Sequence, residues 1–431
     1  MVRTCAVPLI LGFFSFGASL SLFGCGEQSV LVRLAAGEAG SVVCLSAFGD
    51  GARVFTQAYP RDGNRLPSGT LTLVAGSRVD ESVRVTARSY DGGRTVASAT
   101  GVEEFASGSA DLVLEPRRCH PRSSRAPNLR RTTPFGTSDE LPGPIATADI
   151  DGDGRDEIWG AGANGVRVYR IGAAPSAVAL DPGTELLSVG DLDGDCIDDL
   201  VLGGAGGIAP SSDPTSVRPL GAAATRAAIG AVLGTGPSVI AVANGSALIV
   251  DPQTGIASPL TDDAQAVVAA NLGGDAASDV IVSGGAGTRL IIGGGAPREL
   301  DGALPSAFAT VTGPLALGDF NGDSFADLAG AADNAVFVAF NRGDGLFETR
   351  GPAIPMVGVV DLRSADLDGD CLDDLIVLGG GQAEVFAAEA DGSFRSLLRT
   401  PAGAIAVGDV NGDQFRGLIV STPQGLEVWT P

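Results

Sequence analysis

Several segments of the chain carry acidic or amide side chains at a fixed spacing around a glycine. The clearest are ADIDGDGRDEI at 148–158, GDLDGDCIDDL at 190–200, GDFNGDSFADL at 318–328 and ADLDGDCLDDL at 365–375. Numbered from the first Asp, each has oxygen-bearing side chains at positions 1, 3, 5 and 9 and glycine at position 4. Calcium takes six to eight oxygen ligands from a sharply bent loop. Because clustered carboxylates repel one another unless a cation neutralises them, this spacing predicts calcium sites.

Four loops have a complete predicted ligand set, with a backbone carbonyl expected at position 7. The four sets are Asp149, Asp151, Asp153 and Glu157 in the first loop, Asp191, Asp193, Asp195 and Asp199 in the second, Asp319, Asn321, Asp323 and Asp327 in the fifth, and Asp366, Asp368, Asp370 and Asp374 in the sixth. Glu157 departs from the Asp that the other three loops have at position 9.

Three further copies of the motif are damaged. The seventh loop, at 408–418, keeps Asp409, Asn411 and Asp413 but has glycine at position 9. The fourth, ANLGGDAASDV at 270–280, keeps Asn271, Asp275 and Asp279 but has glycine at position 3, and the third, GAVLGTGPSVI at 230–240, has no carboxylate. We therefore expect four good calcium sites, one or two weak ones and one inactive copy.

The motifs recur at a regular interval, with first positions at 149, 191, 231, 271, 319, 366 and 409, which are 40 to 48 residues apart. Each lies between two short apolar runs, as Ala404–Val407 lies before the seventh loop. A period of about 40–50 residues is typical of one four-stranded propeller blade, so each loop is predicted to join the first and second strands of a blade. Only about half a blade follows Asp409, so the segment around 130–139 is expected to pair with Leu426–Thr430 and close the ring.

The repeats resemble FG-GAP/VCBS-type repeats, as found in the seven-bladed propeller of integrin α chains and in many bacterial surface proteins. The resemblance covers roughly residues 145–431, and it depends on six recognisable copies at blade spacing rather than on any single motif. It implies a calcium-braced β-propeller in which the ions support the underside of the ring and do not contact the ligand.

The first residues resemble a bacterial lipoprotein signal. Arg3 precedes an apolar run from Val7 to Phe23, and the sequence Leu-Phe-Gly-Cys ends at Cys25. We expect residues 1–24 to be a signal peptide and Cys25 to be lipidated; ordinary signal cleavage with an incidental Cys25 is the alternative. Gly26 after the cysteine favours the outer membrane by resemblance to Gram-negative lipoprotein sorting, either periplasmic or surface-facing.

Residues 25–115 alternate apolar and polar side chains in about seven short runs, which predicts a small β-sandwich-like domain. Residues 116–134 are rich in Arg and Pro and are interpreted as a linker, either solvated or meeting anionic lipid. We expect a possible disulfide between Cys44 and Cys119, which bracket the first domain. Cys196 and Cys371 lie in blades that are not neighbours, so both are expected to be free thiols.

Composition narrows the function classes. The net charge of −23 argues against nucleic-acid binding, and the chain has no Lys and only one His, so catalysis is not expected. Trp159 and Trp429 are on predicted strands, where packing between blades is expected.

The sequence predicts an all-β protein, a seven-bladed propeller at 135–431 after the small β domain. Its expected function is a monomeric surface protein that contacts the membrane only through its lipid anchor and binds a protein ligand. A lectin-like propeller and a polysaccharide-active accessory or lyase are the alternatives.

Overall fold

The computed structural model of the 431-residue chain describes residues 29–34, 42–49, 52–60, 70–74, 82–91, 94–104, 109–114, 129–132 and 143–430, except 163–164, 182–183, 205, 211–215, 221–222, 235, 274–276, 333 and 414. Predictions for the signal peptide, Cys25, Cys119 and Asp275 lie outside these residues. The chain divides into two compact units, one formed mainly by residues up to 117 and the other mainly by later residues. Among the described residues no helix is long and apolar enough to cross a membrane.

The first unit consists of two sheets around one apolar core. Its strands are β1 (Ser29–Leu34), β2 (Val42–Gly49), β3 (Ala52–Pro60), β4 (Thr70–Val74), β5 (Ser82–Asp91), β6 (Arg94–Glu104) and β7 (Ser109–Leu114). One sheet has the order β4-β1-β7 and the other β3-β2-β5-β6. Alternate residues Val30 and Val32 of β1 share a buried cluster with Leu45 and Val85 of the second sheet. The predicted two-layer β unit with seven strands is therefore confirmed.

In the described part of the second unit there are seven antiparallel sheets, the blades of a propeller. Blade one has strands β9 (Ile145–Ala148), β10 (Glu157–Gly162), β11 (Gly165–Tyr169) and β12 (Ser176–Val178). Blade two has β13 (Leu186–Gly190), β14 (Asp199–Leu202), β15 (Gly207–Ala209) and β16 (Arg218–Pro219). Blade three has β17 (Ala224–Gly230), β18 (Ser238–Ala243), β19 (Ser246–Val250) and β20 (Ala257–Thr261). Blade four has β21 (Ala266–Ala270), β22 (Asp279–Gly284), β23 (Gly287–Ile292) and β24 (Arg298–Glu299).

Blade five has β25 (Leu315–Gly318), β26 (Asp327–Ala332), β27 (Ala335–Asn341), β28 (Phe347–Glu348) and β29 (Ile354–Pro355). Blade six has β30 (Val359–Ala365), β31 (Asp374–Gly379), β32 (Gln382–Ala388) and β33 (Phe394–Pro401). Blade seven has β34 (Ala404–Gly408), β35 (Gly417–Thr422) and β36 (Gly425–Thr430).

The fourth strand of blade seven comes from the other end of the unit. Strand β8 (Arg130–Thr132) pairs antiparallel with β36, with Thr132 opposite Val428. Arg131 donates to the Glu427 carboxylate across this pair at 2.5 Å. The first strand of each blade contacts the first strand of the next, and β34 contacts β9. The ring of seven blades is therefore closed as predicted, and the propeller begins inside the range that composition assigned to the linker.

Apolar packing between neighbouring blades forms the core of the ring. The second strands, such as β18 and β31, are buried along their whole length because blades cover both of their faces, and their sequences are accordingly short apolar runs. Trp159 of blade one is buried against Leu200 and Leu202 of blade two, which confirms its expected packing role. The longer interval after blade four contains a 3-10 helix, Ser306–Thr310, whose Phe308 is fully buried.

Candidate metal centres

Every repeated loop connects the first and second strands of its blade. Because the four strands of a blade alternate in direction, these connections all leave the ring on the same face. The glycine at position 4 has a left-handed backbone in five loops, with φ between 74° and 84° at Gly152, Gly194, Gly322, Gly369 and Gly412. Position 6 is left-handed as well, with φ of 72° at Cys196, 68° at Ser324 and 71° at Cys371. The glycine bend is confirmed, and the second bend at position 6 was not visible in the sequence.

In loops two, five and six the carboxylate at position 1 accepts hydrogen bonds from the backbone of the bend. In loop six, Asp366 Oδ1 accepts the Gly369 N–H at 2.6 Å and Oδ2 accepts the Cys371 N–H at 2.8 Å. In loops two and five, Asp191 and Asp319 likewise accept the N–H groups of positions 4 and 6. In these loops the backbone is therefore folded around the carboxylate at position 1.

The carboxylate at position 9 is buried and anchors the loop to the blade. Its oxygen accepts the N–H of position 2 at 3.0–3.1 Å in loops one, two, four, five and six, from Glu157, Asp199, Asp279, Asp327 and Asp374. In the last three loops the other oxygen accepts an N–H from the end of the third strand or just beyond it, donated by Gly293, Asn341 and Ala388. Position 9 therefore has a structural role of its own, which explains an Asp there even in loop four.

Three loops bring carboxylate oxygens into one cluster. One oxygen from each member lies within 4.8 Å of the others in the sets Asp149, Asp151 and Glu157; Asp191, Asp193 and Asp199; and Asp366, Asp368 and Asp374. In loops five and seven, asparagine at position 3 donates its amide to the carboxylate at position 5, from Asn321 to Asp323 at 3.0 Å and from Asn411 to Asp413 at 2.8 Å. The structure thus brings the predicted ligands at positions 1, 3 and 9 together in loops one, two and six, and those at positions 3 and 5 in loops five and seven.

The buried carboxylates do not readily hold their charge alone. Burial raises the pKa of Asp374 to about 8, and the neighbouring Asp368, Asp366 and Asp370 add to the rise. Burial likewise raises the pKa of Asp327 to about 8 and that of Asp191 to about 6, with nearby carboxylates contributing. A divalent cation would reverse these shifts by favouring the ionised form. The donor set, which consists of carboxylate, amide and backbone oxygens, fits calcium.

Loop one differs from the other complete loops. The guanidinium Nε of Arg170 lies 3.0 Å from Glu157 Oε1 and 3.9 Å from Asp151 Oδ2. Arg170 follows β11 directly and had no role in the sequence prediction. The first cluster therefore already contains a cationic side chain.

Loop three is one residue shorter than its copies. Gly230 pairs with Ser238 across β17 and β18, whereas the corresponding glycine of blade five, Gly318, pairs with Asp327 at position 9. Ser238 therefore takes position 9, not Val239 as the motif alignment implied. A serine hydroxyl there leaves the loop without a carboxylate, as expected.

Position 8 joins neighbouring blades, a contact that we term the inter-blade latch. Asp373 of blade six accepts the N–H of Asp319, the first ligand of blade five, at 3.0 Å, and its own N–H donates to the Asp319 carbonyl at 2.8 Å. Asp156 of blade one makes the same pair of bonds with Asp409 of blade seven, both at 2.8 Å. Ser278 of blade four does so with Ala231 of blade three, at 2.9 and 3.2 Å.

The latch explains a glycine that the sequence left without a role. A Cβ at Gly408, the residue before the first ligand of blade seven, would lie 2.6 Å from Asp156 Oδ2. At Gly318 it would lie 2.9 Å from the Asp373 Cβ. The sequence signal for the latch is therefore a glycine directly before the first position of one motif, together with Asp or Ser at position 8 of the motif in the following blade.

The cysteines of the loops differ from expectation. Cys196 and Cys371 are both disulfide-bonded, as is Cys44, so the prediction of two free thiols was wrong. Their location in non-neighbouring blades excluded only a bond between the two of them. The predicted partner of Cys44, Cys119, lies outside the described residues.

No protein-family model matches the chain, and no curated protein matches it significantly. Similar solved structures include BBS1N in complex with ARL6DN, at 14% identity and a TM-score of 0.49 over 71% of this chain and 97% of the other. A lectin from Agrocybe aegerita that recognises non-reducing terminal N-acetylglucosamine is 18% identical, with a TM-score of 0.43 over 76% of this chain and 93% of the lectin. PorZ, a bacterial surface component of the type-IX secretion system of Porphyromonas gingivalis, is 11% identical, with a TM-score of 0.40 over 70% of this chain and 39% of PorZ. At these TM-scores no function is transferred, and the resemblance to FG-GAP/VCBS repeats rests on the motifs of the chain itself.

Proposed function

We propose that the chain is a lipid-anchored surface binding protein whose propeller is braced by calcium and presents a face to a protein ligand. The observation that carries the proposal is the set of loops on one face, in three of which a buried position-9 carboxylate clusters with two other carboxylates, with oxygens within 4.8 Å of one another. Membership of the FG-GAP/VCBS type is part of the same proposal. Calcium here has a structural role, and the chain has no proposed catalytic residue.

Three loops would hold calcium with a complete donor set. These sets are Asp191, Asp193, Asp195 and Asp199 in loop two, Asp319, Asn321, Asp323 and Asp327 in loop five, and Asp366, Asp368, Asp370 and Asp374 in loop six. Loop seven, with Asp409, Asn411 and Asp413, would bind more weakly because position 9 is Gly417. Bound calcium supplies positive charge that neutralises each cluster and ties the first strand of the blade to the second.

A protein ligand is favoured over a glycan by the placement of the aromatic side chains. Trp159 is 1% exposed, and Trp429 packs against the cluster between blades six and seven. Among the described residues, Phe325 is the one exposed aromatic side chain. Sugar sites favour several exposed rings on which the pyranose can stack, and the described surface does not offer such a group.

The lipid anchor is supported by the sequence alone and has its own test. The chain is expressed in a Gram-negative host with labelled palmitate, beside a Cys25→Ser variant. We expect the label in the membrane fraction of the wild type and its loss in the variant. Equal labelling of both, or label in neither with protein released to the medium, would contradict lipidation at Cys25.

The ligand class is tested with fluorescently labelled purified protein on whole cells, before and after protease treatment of the cell surface. We expect binding that needs millimolar calcium and is lost after protease treatment. Binding that survives the protease and is displaced by free sugars would support the lectin-like alternative instead. An absence of binding in calcium would contradict the proposed role on such cells.

A further inference from the structure

Blade one has a cation of its own at the place where the other blades would bind calcium. The Arg170 guanidinium lies 3.0 Å from Glu157 and 3.9 Å from Asp151. Both carboxylates belong to the cluster that also contains Asp149. Glu157 is almost fully buried, with 4% of its side chain exposed, while Arg170 is 40% exposed and reaches it from the solvent side.

Strand register sets this contact. Tyr169 pairs with Ile158 across β10 and β11, so the next residues along, Arg170 and Glu157, face each other. Opposite-charge pairs in facing positions of an antiparallel ladder attract one another. The arrangement is therefore built into the strand pairing and does not depend on the loop.

The corresponding position in other blades is apolar. It follows Ile291 in blade four, Ala339 in blade five and Phe386 in blade six, which pair with the residue after position 9. The residues at the position are Ile292, Phe340 and Ala387. Of blades one, four, five and six, only blade one carries a positive charge opposite position 9.

The glutamate at position 9 fits the same arrangement. In loops four, five and six the second oxygen of the position-9 Asp accepts a backbone N–H at the end of the third strand or just beyond it. In blade one Glu157 Oε2 accepts the Ile150 N–H and Oε1 accepts from Arg170. The longer glutamate side chain therefore uses its second oxygen for the guanidinium. Glu157 in place of Asp and Arg170 in place of an apolar residue thus form one arrangement that distinguishes blade one from blades four, five and six.

We propose that Arg170 is the resident cation of the first loop and that blade one binds no calcium. Arginine stays charged at any physiological pH and presents a planar fork of donors that suits two carboxylates. A calcium ion among the same carboxylates would be repelled by the guanidinium a few ångströms away. This inference rests on the proposed function, since it concerns which loops take the metal.

The proposed absence of calcium from blade one has a consequence for the junction that closes the ring. Blade one adjoins blade seven, where loop seven lacks a carboxylate at position 9 and the Asp156–Asp409 latch joins the two blades. The junction that closes the propeller would then persist without calcium, whereas blades two, five and six would depend on it.

Calcium stoichiometry of the purified full chain, measured by equilibrium dialysis, tests the inference. We expect Arg170→Gln to bind one calcium more than the wild type, and the added Asp151→Ala change, which removes the position-3 oxygen, to remove that extra ion. Arg350→Gln is the matched control, because Arg350 pairs with the exposed Glu348 at 2.8 Å outside the loops and its loss should add no ion.

The wild-type background supplies a second reading should Arg170→Gln fold poorly. Asp151→Ala alone should leave the number of bound ions unchanged, whereas Asp193→Ala in loop two should remove one. An Arg170→Gln protein that gains no ion, or a wild-type protein that loses one on Asp151→Ala, would overturn the inference. A wild type that binds no calcium at all would refute the proposed function instead. Arg170→Gln would then test the inference alone: one bound ion would uphold it, and no bound ion would overturn it.

Discussion

Replacing Asp373 with alanine removes the side-chain bond of the inter-blade latch between blades five and six and leaves the backbone bond to the Asp319 carbonyl. The side chain accepts the Asp319 N–H at 3.0 Å, and a hydrogen bond to a charged group contributes about 1.5–3 kcal/mol. Because Asp319 is half-buried, water replaces part of the lost bond, and we expect a loss of stability of about 1–2 kcal/mol. The first ligand of loop five also loses its support, so calcium should bind that loop more weakly.

Asp373→Ser separates the latch from the loss of charge. Ser278 makes the equivalent contact in blade four, where its hydroxyl accepts the Ala231 N–H at 2.9 Å. Serine should therefore recover about half of the loss, since a neutral hydrogen bond contributes about 1 kcal/mol. Asp391→Ala, which removes an exposed carboxylate from another connection, controls for net charge.

Differential scanning calorimetry in EDTA gives the stability order, and calcium titration of the same variants gives the effect on loop five. We expect the melting temperature to fall from wild type to Asp373→Ser to Asp373→Ala, with Asp391→Ala close to wild type. If Asp373→Ala melts with the wild type, or Asp373→Ser with Asp373→Ala, the latch does not stabilise the ring as reasoned.

Three other perturbations follow from the same contacts. Gly408→Ala places a Cβ 2.6 Å from Asp156 Oδ2 and should destabilise the ring by about 1–3 kcal/mol, whereas Gly403→Ala, whose nearest contact is at 3.8 Å, should melt like the wild type; equal melting of the two would refute the close packing. Trp159→Ala empties a site that is 1% exposed and should lower the unfolding free energy by about 3–5 kcal/mol in a denaturant titration, and a loss below 1 kcal/mol would contradict its burial between blades. Burial raises the pKa of Asp374 to about 8, so without calcium the folded state binds its proton more tightly, and stability should fall as pH rises from about 4 to about 8; melting curves in EDTA check this, with Asp374→Asn expected to reduce the slope and an opposite slope contradicting it.

The propeller was predictable because its repeat is long and regular. One four-stranded blade needs about 40–50 residues, so motif spacing alone indicates seven blades. The half blade after Asp409 then requires a partner strand, which β8 supplies beside β36. The loop bend was predictable for a similarly local reason, since glycine at position 4 tolerates the left-handed backbone that the structure has there.

Contacts between distant residues could not be read from the motifs. Arg170 follows Glu157 by 13 residues, and its contact depends on the register of β10 and β11. The Asp156–Asp409 latch joins opposite ends of the propeller sequence. The one-residue deletion in loop three became visible only when Gly230 was seen to pair with Ser238. In each case strand pairing, not local sequence, decides which side chains meet.

The melting temperature of the purified chain in EDTA and in millimolar calcium tests the central claim most directly. Sites of the extracellular type bind calcium at about 10⁻⁴–10⁻³ M, so in about 1 mM calcium each filled loop should add about 0.5–1.5 kcal/mol of stability. We expect a rise of many degrees in calcium, reduced by Asp193→Ala or Asp368→Ala and unaffected by Asp391→Ala. An equal melting temperature with and without calcium would mean that the loops do not bind the ion, and the calcium-braced propeller would have to be abandoned.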